Sequence, residues 1–156
     1  MTDPNKLATV KAMVQKKVFL SPTLTVSAYV EAARSKTNPI WNALAKVSEE
    51  SFRRALAAGV QIALGTDAGG FPWEEINQAQ EFKHYVDWGM TPWQALRSGT
   101  VVAATLLGKE SELGTIAPGA YADLVGMKED PLKDITATER VSFVMKEGVV
   151  VVAPGR

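Results

Sequence analysis

The sequence predicts an α/β protein: a strand–helix–strand unit, two further helices and a small β module at the carboxyl end. Three observations carry this expectation. Two short apolar runs, at residues 18–21 and 60–64, flank a long amphipathic helical pattern, which is the signature of a βαβ unit. A Thr-Pro-x-Gln start signal at Thr91 opens a further helix. After Gly114 the helical period gives way to short valine-rich runs separated by turn residues.

Asp3 before Pro4 reads as an N-cap with proline at the first helical position, and Leu7, Val10 and Val14 recur at helical spacing. A helix over 4–16 is expected. Residues 18–26 are apolar and β-branched, and Pro22 ends the strand near Ser21. Beyond a loop around Asn38-Pro39, Trp41, Leu44, Ala45, Ser48, Phe52, Ala55 and Leu56 share one face of a helix closed by Gly59. Residues 60–64, nearly all apolar, read as a strand buried on both faces.

Ile76, Ala79, Phe82 and Val86 mark the next helix, stopped by Gly89. The helix opened by Thr91 is expected to run to Leu107, with Gly108 as its stop. Residues 122–127 read as a strand and Asp130-Pro131 as a break. Residues 141–145 and 149–152 read as a hairpin joined at Lys146-Glu147-Gly148.

Composition narrows the classes of function. Hydrophobic residues make up 46% and charged residues 22%, so the chain is expected to fold rather than remain disordered. Seventeen basic residues balance seventeen acidic ones; no overall field favours nucleic acid or an anionic membrane, and neither partner is expected. No apolar run reaches the length of a membrane span, and neither a membrane helix nor a signal peptide is expected. The absence of cysteine fits a reducing compartment, and a cytoplasmic location is expected, although a cysteine-free secreted protein has the same composition.

Asp67 is the first candidate for chemistry. It stands where the strand at 60–64 runs into Gly65-Thr66-Asp67-Ala68-Gly69-Gly70. A carboxylate at such a strand end serves as a metal ligand or general base, or simply caps its own glycine-rich turn. With one histidine and no cysteine, the chain lacks the imidazole or thiolate cluster that such a carboxylate usually joins.

Asn77 and Glu81, four apart, read as support or substrate contacts beside the Asp67 loop, or as a polar pair on a solvated helix face. Trp73 sits in the loop after Asp67 and is a candidate substrate contact. His84, among Gln80, Asp87 and Trp88 at helical spacing, reads as a partly exposed helix histidine rather than a ligand. Glu74-Glu75 read as a first helical turn, and Lys16-Lys17 and Arg53-Arg54 as solvated pairs.

Several stretches resemble, in order and spacing, the C-terminal part of the amidohydrolase superfamily. They are Gly65-Thr66-Asp67-Ala68-Gly69, Asn77 with Glu81, Gly89-Met90-Thr91-Pro92 with Ala95-Leu96, and Leu106-Leu107-Gly108. Leu113-Gly114-Thr115-Ile116-Ala117-Pro118-Gly119, Ala122-Asp123-Leu124-Val125 and Val144-Met145-Lys146-Glu147-Gly148 continue the series. The likeness is strongest to the imidazolonepropionase-like and Xaa-Pro dipeptidase (prolidase-like) branch.

The resemblance implies a (β/α)₈ barrel bearing one or two Zn²⁺, flanked by a β-sandwich. Residues 18–21 and 60–64 would then be barrel strands seven and eight, 1–112 a partial barrel, and 113–156 the C-terminal part of the sandwich. Asp67 matches the strand-eight aspartate that binds metal and takes a proton from the attacking water, while Asp123 matches a structural aspartate of the sandwich.

The same resemblance implies metal-ligating histidines on earlier strands that this chain does not contain, and Phe71-Pro72-Trp73-Glu74 replaces a Pro-His-Gly sequence common among relatives. The expected function is that of the C-terminal part of a metal-dependent hydrolase of C–N bonds in an amide, cyclic amide or Xaa-Pro or N-acyl dipeptide. The isolated chain is expected to be inactive, to hold no zinc tightly, and to pair with an N-terminal half or a second copy through open strand edges. The alternative is a non-catalytic scaffold or assembly module derived from the same barrel. Two copies together would add only Asp67 and His84 as ligands, too few for a catalytic zinc.

Overall fold

A computed structural model describes residues 4–69 and 74–155, with side chains described from residue 8 onward. In chain order the elements are α1 (Pro4–Gln15), β1 (Phe19–Leu20), α2 (Leu24–Arg34), α3 (Ile40–Ala57), β2 (Gln61–Ile62), α4 (Gln80–Asp87), α5 (Pro92–Ser98) and α6 (Val101–Leu106). They continue with β3 (Leu124–Gly126), a 3₁₀ helix (Ile135–Arg140), β4 (Phe143–Lys146) and β5 (Val149–Val152). The class is α/β. Among the described residues no helix is long and apolar enough to cross a membrane.

β1 and β2 run parallel, with Phe19 opposite Gln61 and Leu20 opposite Ile62. The pairing extends one step further, since Ala63 N–H donates to Leu20 O at 2.9 Å. Leu64 N–H then turns to Ser98 O at the end of α5, 3.0 Å away, which ends the ladder and starts the loop carrying Asp67. Gln61 is exposed while Ile62 is buried, so β2 buries one face where burial of both was expected.

Two helices, not one, form the crossover between β1 and β2. Residues 24–34, for which the sequence reading gave no helix, are helical. Thr23, Thr25 and Val26 are β-branched and give little local helix signal, and Thr23 at the N-cap adopts a left-handed conformation with no side-chain cap of its own. The cap comes from a distant part of the chain.

The expected helix over 92–107 is broken into α5 and α6 at Gly99-Thr100. Gly99 is required there by close packing: a Cβ would lie 2.8 Å from Phe82 Cζ and 3.5 Å from Leu64 Cδ1. The capping box at the start of α5 is formed, with Gln94 N–H donating to Thr91 Oγ1 at 3.2 Å and Thr91 N–H to Gln94 Oε1 at 2.9 Å. α4 begins at Gln80 rather than near Ile76, because Asn77 first closes a turn by accepting Ala79 N–H at 3.0 Å.

The core joins these elements through Leu24, Phe52, Ile62, Tyr85, Met90, Ala95 and Ile135. Phe52 on α3 packs against Tyr85 (ring centroids 5.4 Å) and edge-on against Trp88 (5.7 Å), both from the face of α4. Ile135 comes from the 3₁₀ helix, which packs on α4. The carboxyl-terminal segment therefore shares the core of the α/β part.

β3, β4 and β5 form an antiparallel sheet in that order. Glu147 and Gly148 both have positive φ, 50° and 80°, as a two-residue hairpin turn with right-twisted strands requires. Asp123 holds this turn: its carboxylate accepts Glu147 N–H at 2.7 Å and the Lys146 ammonium at 2.8 Å. That pairing with Lys146, reinforced by the backbone N–H, pulls the Asp123 carboxyl below its ordinary value.

Candidate functional site at the end of β2

Gly65, Thr66 and Asp67 leave the C-terminal end of β2 immediately beside the end of β1. The approach is close enough that a Cβ at residue 65 would displace the Ser21 hydroxyl from its present position. Asp67 has φ 54°, a left-handed conformation that Asp tolerates better than most residues. Its carboxylate is exposed, and among the described residues it has no hydrogen-bond or ion-pair partner. A carboxylate presented in this way can accept a proton or hold one position of a cation.

Glu81 lies behind this loop. It is 0% exposed, and both oxygens are engaged by the start of α2. Leu24 N–H donates to Oε1 at 2.7 Å, while Thr25 N–H and Thr25 Oγ1 donate to Oε2 at 2.7 and 2.6 Å. The carboxylate thus supplies the N-terminal cap missing from Thr23, and it does so across 57 residues of sequence. Its negative charge also suits the positive end of the α2 dipole. Glu81 thus braces the start of α2 and is buried rather than on a solvated helix face.

Tyr85, one turn along α4, is also fully buried and donates to Ala63 O in the strand before Asp67 at 3.3 Å. Burial, followed by the neighbouring Glu81 carboxylate, pushes its phenol far above the usual tyrosine range. The start of α2, Glu81, Tyr85 and the end of β2 are therefore joined in one polar chain inside an apolar core. The sequence reading missed this role of Tyr85. The signal was present, since Glu81, Tyr85 and Trp88 fall on one helical stripe with two aromatics.

Asn77 is exposed and lies in the turn before α4, off the helix face it was expected to share with Glu81. Its Nδ2 donates to Glu139 O at 2.8 Å, tying the loop to the 3₁₀ helix. Trp73 lies outside the described residues. His84 is half-buried and lines a cavity between α2, α3 and α4.

Among the described residues no group of three His, Cys, Asp or Glu side chains is gathered closely enough to hold a metal ion. Catalytic zinc takes three protein ligands, so the donor set described here does not fit zinc by itself.

Comparison with known proteins identifies the family. The amidohydrolase family model matches residues 3–151. The chain belongs to the amidohydrolase family. Among curated members of that family, it is similar to ochratoxinase of Aspergillus niger, 36% identical over 119 residues that cover 72% of this chain and 24% of that protein. It is also similar to imidazolonepropionase of Shouchella clausii, 34% identical over 108 residues, 66% of this chain and 24% of that protein. This amidohydrolase chain thus spans about a quarter of the length of the curated relatives it matches.

Among solved structures, a Xaa-Pro dipeptidase with methionine bound in its active site superposes with a TM-score of 0.86 at 31% identity, covering 94% of this chain and 37% of that one. The A. niger ochratoxinase structure gives a TM-score of 0.79 at 30% identity, covering 94% of this chain and 34% of that one.

Proposed function

We propose that this chain forms the C-terminal part of a metal-dependent amidohydrolase that hydrolyses a C–N bond in an amide, cyclic amide or N-acyl or Xaa-Pro dipeptide. In this reading β1 and β2 are the seventh and eighth strands of a (β/α)₈ barrel, residues 1–112 belong to the barrel, and residues 113–156 to a β-sandwich. The parallel pairing of β1 with β2 through a helical crossover and the likeness to a Xaa-Pro dipeptidase and to imidazolonepropionases support it.

One observation carries the reading: an exposed Asp67 carboxylate, free of partners among the described residues, at the C-terminal end of β2. That is the end of parallel strands at which α/β enzymes gather their reactive groups. Asp67 there accepts a proton from the attacking water and returns it to the departing amine, as a positioned general base does. Zinc is the proposed metal and Asp67 its ligand from this chain, the other ligands coming from a second polypeptide segment. Glu81 and Tyr85 keep the strand end in place without touching the reacting atoms.

The test is release of amine from a panel of Xaa-Pro dipeptides and N-acyl amino acids, with Zn²⁺ supplied. The chain is assayed alone and after mixing with an N-terminal segment taken from the related Xaa-Pro dipeptidase. Turnover is expected only in the mixture, with a loss of at least about a hundredfold in Asp67→Asn. Equal turnover with D67N removes Asp67 from the chemistry. A stable but inactive mixture instead supports a non-catalytic scaffold.

A further inference from the structure

α2, α3 and α4 enclose an open cavity of about 430 Å³. It is distinct from the strand end described above, since none of residues 64–69 lines it. Its volume falls in the range of small-molecule sites, which are mainly apolar with a few placed polar groups. Leu24, Leu44 and the indoles of Trp41 and Trp88 supply the apolar wall.

Two charges of opposite sign also line it, Glu31 and Arg34, one turn apart on α2. The Arg34 guanidinium lies 5.2 Å from the centre of the Trp41 ring, a stacking that fixes the planar group while leaving its N–H fork available. Among the described residues that fork makes no hydrogen bond or ion pair. The Glu31 carboxylate is likewise without a partner, and the two do not pair with each other.

An apolar cleft lined by a guanidinium and a carboxylate one turn apart on α2, neither paired among the described residues, complements a zwitterion with an apolar side chain. We propose that this cavity binds a free apolar α-amino acid. The carboxylate pairs with the Arg34 fork, the ammonium with Glu31, and the side chain enters between Trp41 and Trp88. The site is independent of the hydrolase reading, because none of the described residues of the Asp67 loop lines it.

The experiment is calorimetric titration of the full chain with L-phenylalanine, N-acetyl-L-phenylalanine and L-phenylalaninamide. It is paired with indole N–H chemical shifts and with sedimentation of the free protein. Saturable one-site binding of L-phenylalanine is expected, weakened about tenfold or more in Arg34→Gln and in Glu31→Gln. The acetylated compound, lacking the ammonium, should bind more weakly and be insensitive to E31Q; the amide, lacking the carboxylate, should be insensitive to R34Q.

Both substitutions lie on the rim of α2 outside the core cluster, so folding is retained and a loss of binding reports the site. The proposal is overturned by absence of saturable binding up to about 10 mM, an affinity too weak for a built site. It is equally overturned by affinity unchanged in both variants, or by a dimer whose contacts bury Trp41, which would make a second copy the occupant.

Discussion

At the scale of single residues, folding gives the candidate carboxylates at 67 and 81 opposite surroundings. Asp67 projects from a left-handed turn into solvent, whereas Glu81 is sealed in the core with three donors on its two oxygens. Removing the latter leaves two backbone N–H groups of α2 buried without acceptors. Glu81→Ala should therefore destabilise the fold by about 2–4 kcal/mol and Glu81→Gln by roughly half as much, since the amide keeps one acceptor oxygen. Urea denaturation measures both, and faster hydrogen exchange at Leu24 and Thr25 in E81A would locate the damage. Tyr85 gives a prediction of its own. Burial and then the Glu81 charge raise its phenol far above the usual range, so the folded chain holds it neutral. A group whose folded value is raised contributes stability that is complete below the unfolded value near 10 and falls away as pH rises above it. Stability should decline by up to about 1.4 kcal/mol per pH unit above 10, and Tyr85→Phe should flatten that decline. An absorbance titration checks it: Tyr85 should ionise only as the chain unfolds.

At the scale of elements, what could be read from sequence was what neighbouring residues decide. The start of α5 is written in Thr91, Pro92 and Gln94, which satisfy one another within a single turn. The β4–β5 hairpin is written in Glu147-Gly148, whose positive φ values select the turn. α2 was illegible because its cap comes from Glu81, 57 residues away, and β-branched residues at its start argue locally against a helix. The break between α5 and α6 was illegible for a related reason: it depends on Phe82 packing into the space above Gly99. Asp67 could be singled out as a candidate because a strand-end carboxylate before glycines is a local pattern, whereas the groups that would complete a site with it have no local signal in this sequence. Gly99→Ala tests the tertiary origin of the helix break. A Cβ placed 2.8 Å from Phe82 Cζ forces the ring or the helix end to shift, and overpacking of this kind costs about 1–3 kcal/mol. In an uninterrupted helix the same substitution would stabilise by about 0.5–1 kcal/mol. A thermal melt of G99A distinguishes the two by sign alone.

At the scale of the whole molecule, the apolar groups left outside the core have an uneven distribution. The four valines of β5 are all exposed, Val149 by 67% and Val151 by 64%. β5 is the outer strand of its sheet, paired only with β4. Such a strand presents unpaired backbone N–H and C=O groups together with apolar side chains on both faces, the combination that natural edge strands usually interrupt with charge, proline or a bulge. The irregularity between Val144 and Met145 lies on the inner, paired side, and the charges at the turn, Lys146 and Glu147, are held there by Asp123 and by each other. The outer edge is therefore unguarded, and the isolated chain should self-associate through it. Val151→Lys places a charge in the middle of that edge while removing no buried contact. The variant should keep its unfolding midpoint, with a change within about 0.5 kcal/mol, yet lose concentration-dependent association in sedimentation velocity. Association undiminished in V151K would transfer the contact to another face, such as the exposed Ile40, Leu44 and Val47 of α3. The combination of an unchanged melt and a changed sedimentation profile separates an edge contact from a loss of folding.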